Sequence, residues 1–493
     1  MNVRRLISTG IVAVAALVSH LPSAFAQSGY KAYRETSDVA LAGFTQYFDP
    51  KLVQPWGMAS DHNPCFTYSA MACNTSAPAL PVYPEVTSSD AGINANATDG
   101  RKAFWIADSD GHYVTMYSDT GAPLSSGGVQ VAISVAGIPT GIVVNPYCAP
   151  VLKPSASSTT YTSACDSLVG NSVSVPFAIS ANGKRAAASW LTASRDGKVY
   201  AWNPGVSLTS AVAVIDDSAS GADYTGITVS PDGSMIVLTD FHTGSIVVYD
   251  SAYNKVGFKY GLGTAEPLRD SAVPAGFAPS NAAFITYPGS GNPSGTHLYV
   301  TWGKQGAPYA NVPEVVGPAA PTVWVNQPIF GYVSDFVLNA DGTYQVRQLT
   351  VPADKLNAPW AIVLAPTNFG LDSSTAATYD LYIGNFGDGY FNVFNPATDT
   401  YVARLGENPT QIIPPANTVP GYPTVGSTTP SPVGQIIWEL GMRGLAFKKV
   451  SYQVTPIPLA YDWANRLFFN ANMNFKSSVP SNEWSIFGFI RPT

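Results

Sequence analysis

A recurring stretch of Pro, a variable residue, Gly and an apolar run constrains this sequence most. It occurs six times, about 80 residues apart except for one shorter interval. Each copy opens a short run of small and apolar residues that suits a buried strand. The copies are QPWGMAS (54–60), IPTGIVV (138–144), DYTGITV (223–229), APSNAAFI (278–285), APWAIVL (358–364) and GMRGLAF (441–447).

A second pattern follows each copy: an apolar strand, a small polar residue, a turn and another strand. Its copies are FWIADSDGHYVTMY (104–117), AASWLTASRDGKVYAWN (187–203), MIVLTDFHTGSIVVYD (235–250), HLYVTWGKQ (297–305), YIGNFGDGYFNVFNP (382–396) and RLFFNANMN (466–474). Asp-Gly and Thr-Gly pairs supply the positive φ that tight hairpins need. The pattern therefore predicts a hairpin in the repeats.

Together the two patterns predict an inner strand, a second strand, a hairpin, a third strand and an outer strand per repeat. One such sheet cannot bury both faces, whereas six packed radially can. We predict an all-β fold, a six-bladed β-propeller with long inter-strand loops, and the segment 39–50 as the strand that completes the last blade. The repeats exceed the usual blade of about 40–50 residues. The surplus lies in the loops 60–100, 145–175, 303–328 and 405–437.

The start of the chain has the pattern of a secretory signal peptide. Two arginines precede a mostly apolar run that ends at Leu21, and Ala-Phe-Ala up to Ala26 is a small-x-small cleavage site. No later apolar stretch approaches the length of about 18 residues that a spanning helix needs. We predict a signal peptide over 1–26, a single propeller domain over 27–493, no membrane span, and a secreted or periplasmic location.

Composition limits the classes of partner. Only 12% of residues are charged, the net charge is −7, and no basic cluster suits nucleic acid or anionic lipid. The sequence therefore predicts a small molecule, a glycan or a protein as partner, and it leaves the oligomeric state open.

Four cysteines lie in the first third of the chain. In an oxidising compartment we expect two local disulfides, Cys65–Cys73 and Cys148–Cys165, although four cysteines allow three connectivities. A zinc site is the alternative, but no CxxC occurs and no histidine neighbours them at ligand spacing.

The stretches FDPKLVQPWGMA, PTGIVVN, TDFHTGSIVVYDS and LNAPWAIVLAPTNFG together carry a resemblance to known proteins. The paired motif resembles the NHL-type propeller repeat, and the chain over about 40–475 is similar to an uncharacterised family of secreted bacterial proteins. The resemblance implies a propeller and export, and it implies no particular activity. Ala361 and Asn281 stand where the repeat has Gly.

Residues that enter the innermost strands of a propeller surround one mouth of its channel. The ligand-binding candidates at or beside that mouth are Trp56, Thr140, Tyr224, Thr225, Ser280, Asn281, Trp360, Glu439 and Arg443. Tryptophans, a tyrosine and an arginine around one opening suit a flat ligand such as a sugar ring or an aromatic. Alternatively, the tryptophans pack between blades and Arg443 pairs with Glu439.

Two function classes follow. The first is a non-catalytic protein that binds its ligand at the channel mouth. The alternative is a hydrolase or lyase, lactonase- or esterase-like, since several six-bladed propellers are calcium-dependent enzymes. Such a site needs converging carboxylates and asparagines, and Asn281 and Glu439 are the nearby candidates. Calcium stays open as a cofactor, no catalytic residue is assigned, and neither GxSxG, HExxH nor GxxxxGK[ST] occurs.

The Asn385/Asp388 pair in YIGNFGDGYFNVFNP raises a local question, because it would suit either a hairpin or a calcium-binding turn. Asp108 and Asp240 hold places equivalent to Asn385, where a short polar side chain can bond the turn backbone. We predict a hairpin, and a surface position for His242 in the hairpin TDFHTG.

Overall fold

The computed structural model places the sequence repeats in one ring. It describes residues 30–38, 47–60, 103–118, 121–126, 128–148, 151–155, 158–162, 164–259, 267–286, 296–305, 331–339, 343–352, 355–365, 379–387, 389–405, 412–413, 442–447, 467–474 and 483–492. The helical elements of this described part are short 3-10 turns, Pro146–Cys148, Ala164–Asp166 and Ser218–Ser220. No helix within those ranges is long and apolar enough to cross a membrane.

Six sheets of four or more strands account for most described residues. The inner strands are Pro55–Ser60, Pro139–Val144, Tyr224–Val229, Phe277–Thr286, Pro359–Leu364 and Met442–Phe447. The second strands are Ala103–Asp108, Trp190–Ser194, Met235–Asp240, Thr296–Lys304, Leu381–Asn385 and Leu467–Asn474. The third strands are Tyr113–Ser118, Lys198–Trp202, Ser245–Asp250, Gly331–Leu338, Phe391–Asn395 and Glu483–Pro492. The outer strands are Ala132–Ser134, Val212–Asp216, Lys255–Val256, Tyr344–Gln348, Thr400–Leu405 and Tyr30–Ser37.

The inner strands form the wall of the ring. Each contacts the next in chain order, and the sixth contacts the first. The sheets are therefore the blades of a closed six-bladed β-propeller, numbered 1 to 6 by their inner strands, which confirms the predicted fold class. Each of the six inner strands holds one copy of the repeat, although Pro-x-Gly itself is intact only in blades 1 and 2.

Blade 6 takes its outer strand from the beginning of the described chain. Tyr30–Ser37 pairs antiparallel with Glu483–Pro492. The prediction that 39–50 completes this blade is confirmed in part: Tyr47–Phe48 from that segment joins the sheet, but as a fifth strand that lies parallel beside the outer strand Tyr30–Ser37. Residues 39–46 lie outside the described part of the chain. Ile412–Ile413 pairs with the same strand. The polar sequence YKAYRETS carries too little apolar periodicity to reveal an outer strand.

One predicted disulfide is confirmed. Cys148 and Cys165 are bonded and buried, and they join two 3-10 turns on either side of the hairpin Val151–Ser155 with Ser158–Thr162. Cys65 and Cys73 lie outside the described residues. Two further hairpins decorate the blades, formed by Ser125–Ser126 with Val129–Gln130 and by Ala178–Ala181 with Lys184–Ala187.

Glycines let the inner strands approach closely. A Cβ on Gly57 would lie 2.5 Å from the carbonyl oxygen of Thr140 in blade 2, and one on Gly141 would lie 2.8 Å from the backbone nitrogen of Ile227 in blade 3. Real Cβ atoms do not occupy such distances, so the repeat's glycine is required by strand-to-strand packing.

Candidate functional site

The inner strands all begin at one end of the ring. Pro55 pairs with Asp108 and Pro359 pairs with Asn385, so the start of an inner strand meets the end of the second strand. The hairpins that join second and third strands therefore surround the same opening. We call this end of the channel the mouth.

The strand pairing skips one residue in each inner strand near the mouth. The skip falls on Trp56 or Gly57, Thr140 or Gly141, Thr225, Ser280, Trp360 and Arg443 in blades 1 to 6. A bulge of this kind turns a side chain out of the regular alternation. The predicted ring residues thus hold equivalent positions in the fold.

In blades 2, 3 and 4 this position carries a hydroxyl that bonds the next blade. Thr140 Oγ1 donates to the carbonyl of Tyr224 at 2.7 Å. Thr225 Oγ1 donates to the carbonyl of Ser280 at 2.8 Å, and Ser280 Oγ to that of Pro359 at 2.7 Å. All three side chains are buried. These hydroxyls link neighbouring blades, and their predicted role in ligand binding stays a prediction.

In blades 1 and 5 the same position carries tryptophan, and the two indoles meet. The rings of Trp56 and Trp360 are 5.4 Å apart in an edge-to-face arrangement. Phe241 of blade 3 and Phe386 of blade 5 lie 6.4 Å and 5.8 Å from Trp360. With Arg195 of blade 2, described next, these residues form what we call the mouth cluster.

Arg195 lies in the hairpin of blade 2. Its guanidinium carbon is 5.7 Å from the ring centre of Trp56, within the range of a cation–π contact. Asp223 holds the guanidinium through two bonds, from Nε at 3.2 Å and from Nη2 at 2.9 Å. The hydrogen bonds that Arg195 donates to Asp223 raise the pKa of Arg195 further, so Arg195 is a permanent cation.

The mouth cluster contains hydrogen-bond donors that have no acceptor among the described residues. Both indoles are less than a tenth exposed, and the Nε1–H of Trp360 is buried without a hydrogen-bond acceptor among the described residues. Arg195 makes no described hydrogen bond through Nη1. An unused buried donor such as the Trp360 N–H is uncommon because it costs about 1–3 kcal/mol, whereas the Arg195 side chain is 47% exposed. The cluster therefore offers ring faces together with donors for an acceptor oxygen.

Two other predicted residues have structural partners. The Tyr224 side chain is buried between blades 2 and 3, and its hydroxyl donates to Asp217. Asn281 donates from Nδ2 to the carbonyl of Trp360 at 3.1 Å and so supports the backbone of the mouth cluster. Glu439 and the side chain of Arg443 lie outside the described residues.

The hairpins answer the question raised by Asn385. Asn385 ends a strand and pairs opposite Pro359, and it donates from Nδ2 to the carbonyl of Lys355 at 2.8 Å. Asp240 accepts from the turn backbone, at 3.1 Å from His242 N and 3.2 Å from Thr243 N. The contacts of Asp240 confirm the predicted bond to the turn. At Asn385 the hairpin itself is confirmed by the backbone bond from Asn385 N to the Tyr390 carbonyl at 2.8 Å, while the side chain bonds Lys355 outside the turn. Asp388 lies outside the described residues.

Asp108 behaves differently from its equivalents. It is fully buried and accepts a hydrogen bond from the Thr115 hydroxyl across the hairpin rather than from the turn. Burial raises its pKa well above the usual range.

His242 is exposed, as predicted. Within the described ranges, no group of three His, Cys, Asp or Glu side chains is arranged to hold a metal ion.

Sequence reasoning missed Arg195, Phe241 and Phe386. In blades 2, 3 and 5 the last residue of the second strand pairs with the first residue of the inner strand, and these last residues are Ser194, Asp240 and Asn385. Arg195, Phe241 and Phe386 come directly after them in the sequence. Aligning the six copies of the second motif would have exposed this column. Its side chains point toward the channel only because the hairpins surround the mouth, which is a property of the ring.

No protein-family model matches the chain. Curated relatives include two uncharacterised proteins of Acanthamoeba polyphaga mimivirus. One is 30% identical over 208 residues, 42% of this chain and 44% of the relative. The other is 28% identical over 219 residues, 44% of this chain and 35% of the relative. The chain thus spans less than half the length of these relatives.

Solved structures with a distant likeness include several proteins of known architecture. An auxiliary nutrient binding protein from Bacteroides thetaiotaomicron is 9% identical, with 80% of this chain and 67% of that chain covered and a TM-score of 0.40. A β-propeller domain of Cps50 (Swd1) from Myceliophteria thermophila is 9% identical, with 62% and 69% covered and a TM-score of 0.32. TM-scores this low do not support any statement about the function of this chain.

Proposed function

We propose that this β-propeller is a secreted or periplasmic binding protein that holds a ring-shaped small molecule or glycan at the mouth. The observation that carries the proposal is the mouth cluster, in which four aromatic rings and an arginine from blades 1, 2, 3 and 5 converge. Aromatic faces contribute large contact area at low entropic cost, and sugars and aromatic compounds both stack on them.

The chemistry of the cluster favours binding over hydrolysis. Its side chains are two indoles, two phenyl rings and a guanidinium, and none of these can act as a general base near neutral pH. The Trp360 N–H and the Arg195 Nη1 donors suit a carbonyl or hydroxyl oxygen of a ligand. As part of this proposal, the chain is a member of the uncharacterised family of secreted bacterial proteins, and it is exported.

The test is a binding screen on the purified propeller. Glycan arrays and a library of aromatic metabolites identify a ligand, and calorimetry then compares the wild type with Phe386→Ala and Arg195→Gln. We expect about fivefold weaker binding or more for each variant, since losing one such contact costs about 1 kcal/mol. Both side chains are partly exposed, so the melting temperatures should stay close to that of the wild type.

Tyr147→Ala is the matched control. Tyr147 is 38% exposed and follows the far end of the blade 2 inner strand, away from the mouth. Its replacement should leave affinity unchanged. Equal binding by all four proteins would contradict the proposal. Calcium-dependent turnover of esters or lactones would support the hydrolase alternative instead.

A further inference from the structure

A cavity of about 550 Å³ runs along the outer part of blade 3. It exists because the outer strand of this blade is short: Lys255–Val256 pairs only with Val248 and Tyr249. Blades 2, 4 and 5 have outer strands of five or six residues. Ser245–Val247, the first half of the third strand of blade 3, has no outer strand paired with it and borders the cavity.

A carboxylate at the cavity wall holds an ammonium group. Asp217 Oδ2 accepts from the hydroxyls of Tyr224 and Tyr249, and Lys255 Nζ lies 3.2 Å away. The same Nζ is 6.0 Å from the ring centre of Tyr249. A carboxylate beside an aromatic face is the environment that favours an organic cation. Lys255 thus marks a cation position inside this site.

The carboxylate remains ionised and keeps an unused oxygen. Burial favours a higher pKa for Asp217, but the hydrogen bonds from Tyr224, Tyr249 and Lys255 outweigh burial and lower the pKa. Its Oδ1 accepts no hydrogen bond from the described residues. A further donor can therefore bind Asp217 without displacing the tyrosines.

The lysine is held weakly. Its side chain is 59% exposed and stands on a strand of two residues. Exposed ion pairs of this kind contribute little to stability. A ligand ammonium can therefore take the place of the Lys255 ammonium at small cost.

The other wall of the cavity is apolar. Ile246, Val256 and Pro267 line it with accessible surface, while Phe258 and Leu268, which also line it, are buried against blade 4. Such a wall suits a hydrocarbon or aryl group, while the Asp217 side suits a positive charge. The two walls together define an amphipathic ligand.

We propose that this cavity binds an organic amine, with the ammonium against Asp217 and the apolar body against Val256 and Pro267. The Lys255 side chain occupies the ammonium position when no ligand is bound and competes with the amine. The site shares no residue with the mouth cluster, so it is independent of the proposed function.

Calorimetry with three probes of similar shape tests the proposal: phenethylamine, phenethyl alcohol and phenylacetate. Lys255→Met removes the internal competitor, and we expect it to bind phenethylamine about tenfold more tightly than the wild type. The alcohol and the carboxylate should bind more weakly than the amine. Adding Asp217→Asn to Lys255→Met should remove the preference for the amine, because the negative charge is gone.

Lys198→Met is the matched control. Lys198 makes a similar ion pair, with Nζ 3.2 Å from Asp216 Oδ2, and does not line the cavity. It should leave phenethylamine binding unchanged, and melting temperatures should show that every variant is folded. The proposal is overturned if Lys255→Met binds the amine no more tightly than the wild type, if the three probes bind alike, or if no folded variant binds phenethylamine at millimolar concentration.

Discussion

The residue before the repeat's glycine has two roles in this ring. In blades 2 to 4 it is Thr or Ser, whose short side chain reaches a carbonyl of the next blade. In blades 1 and 5 it is Trp, whose ring enters the mouth instead. The same bulge carries both kinds of side chain. One backbone feature therefore places the hydroxyls that link neighbouring blades and the indoles that line the mouth.

Removing one of these hydroxyls should weaken the ring. Thr225→Val keeps the shape of the side chain but loses the 2.8 Å bond to the Ser280 carbonyl, which then keeps only the longer bond from Thr239 Oγ1 at 3.2 Å. We expect a loss of about 1–2 kcal/mol in the free energy of unfolding, measured by urea denaturation. Thr209→Val is the control, since Thr209 is exposed and its side chain makes no described hydrogen bond. Equal losses in both variants would contradict the role given to Thr225.

The close approach of the inner strands predicts a sharper effect. Gly57→Ala places a methyl group 2.5 Å from a backbone oxygen of blade 2, which cannot move aside as a side chain could. We expect destabilisation of about 2 kcal/mol or more. Gly170→Ala, with nothing within 4 Å of the new methyl group, should melt close to the wild type. A stable Gly57→Ala protein would show that the inner strands can separate without cost.

At the scale of elements, blades 4 and 5 are joined by a buried ionic cluster. His297 Nδ1 lies 2.9 Å from both oxygens of Asp335, and Arg347 Nη2 is 2.6 Å from Asp335 Oδ2. Arg347 Nε also lies 2.9 Å from Asp399 Oδ2 in blade 5. One guanidinium therefore faces two carboxylates, so a proton on Asp399 relieves the repulsion between them. Tyr299 is the other titratable group facing Asp399.

This cluster should make stability depend on pH. Burial, followed by the charge of Asp335, raises the pKa of Asp399 from 3.8 to about 7. A carboxyl group whose pKa rises on folding stabilises the fold below its unfolded value and loses that contribution as pH rises through its folded value. The wild type should therefore lose stability between about pH 4 and about pH 7 through this group.

Asp399→Asn imitates the protonated carboxyl group and removes this loss. The melting temperature of the variant relative to the wild type should rise from about pH 5 to about pH 8. Asp216→Asn is the control: hydrogen bonds from Ser218 lower the pKa of Asp216, so this group stays ionised across that range and its offset should stay constant. Parallel curves for Asp399→Asn and the wild type would refute the prediction.

The elements differ in how far the sequence predicts them. Each inner strand carries a small residue followed by an apolar run, and four of the six also carry Pro, because the inner strands are buried and closely packed. These constraints act locally and can be read from the sequence. The outer strand Tyr30–Ser37 is paired on both edges, yet its sequence carries no such pattern. The meeting of Trp56 with Trp360, and of Arg195 with Trp56, depends on how blades far apart in sequence are placed around the ring. Local patterns carry no such information.

At the scale of the whole molecule, the ring is closed by pairing its first described strand with its last. Without Tyr30–Ser37, the strand Glu483–Pro492 becomes an exposed edge, which invites aggregation. A protein spanning 39–493 should melt well below one spanning 27–493, and size-exclusion chromatography should show association. Equal melting temperatures and monomeric elution of both would contradict this role of the first strand.

The same pairing sets the order of events during synthesis. Ala32 pairs with Ile490, so blade 6 can be completed only when nearly all of the chain has emerged. Contacts of such sequence separation form late and slowly, since a long loop must close first. A prematurely terminated chain is then an open ring with an unsatisfied edge at each end, which proteases can recognise. Closure of the ring therefore requires the strand Glu483–Pro492, and a chain that ends before it keeps both edges open.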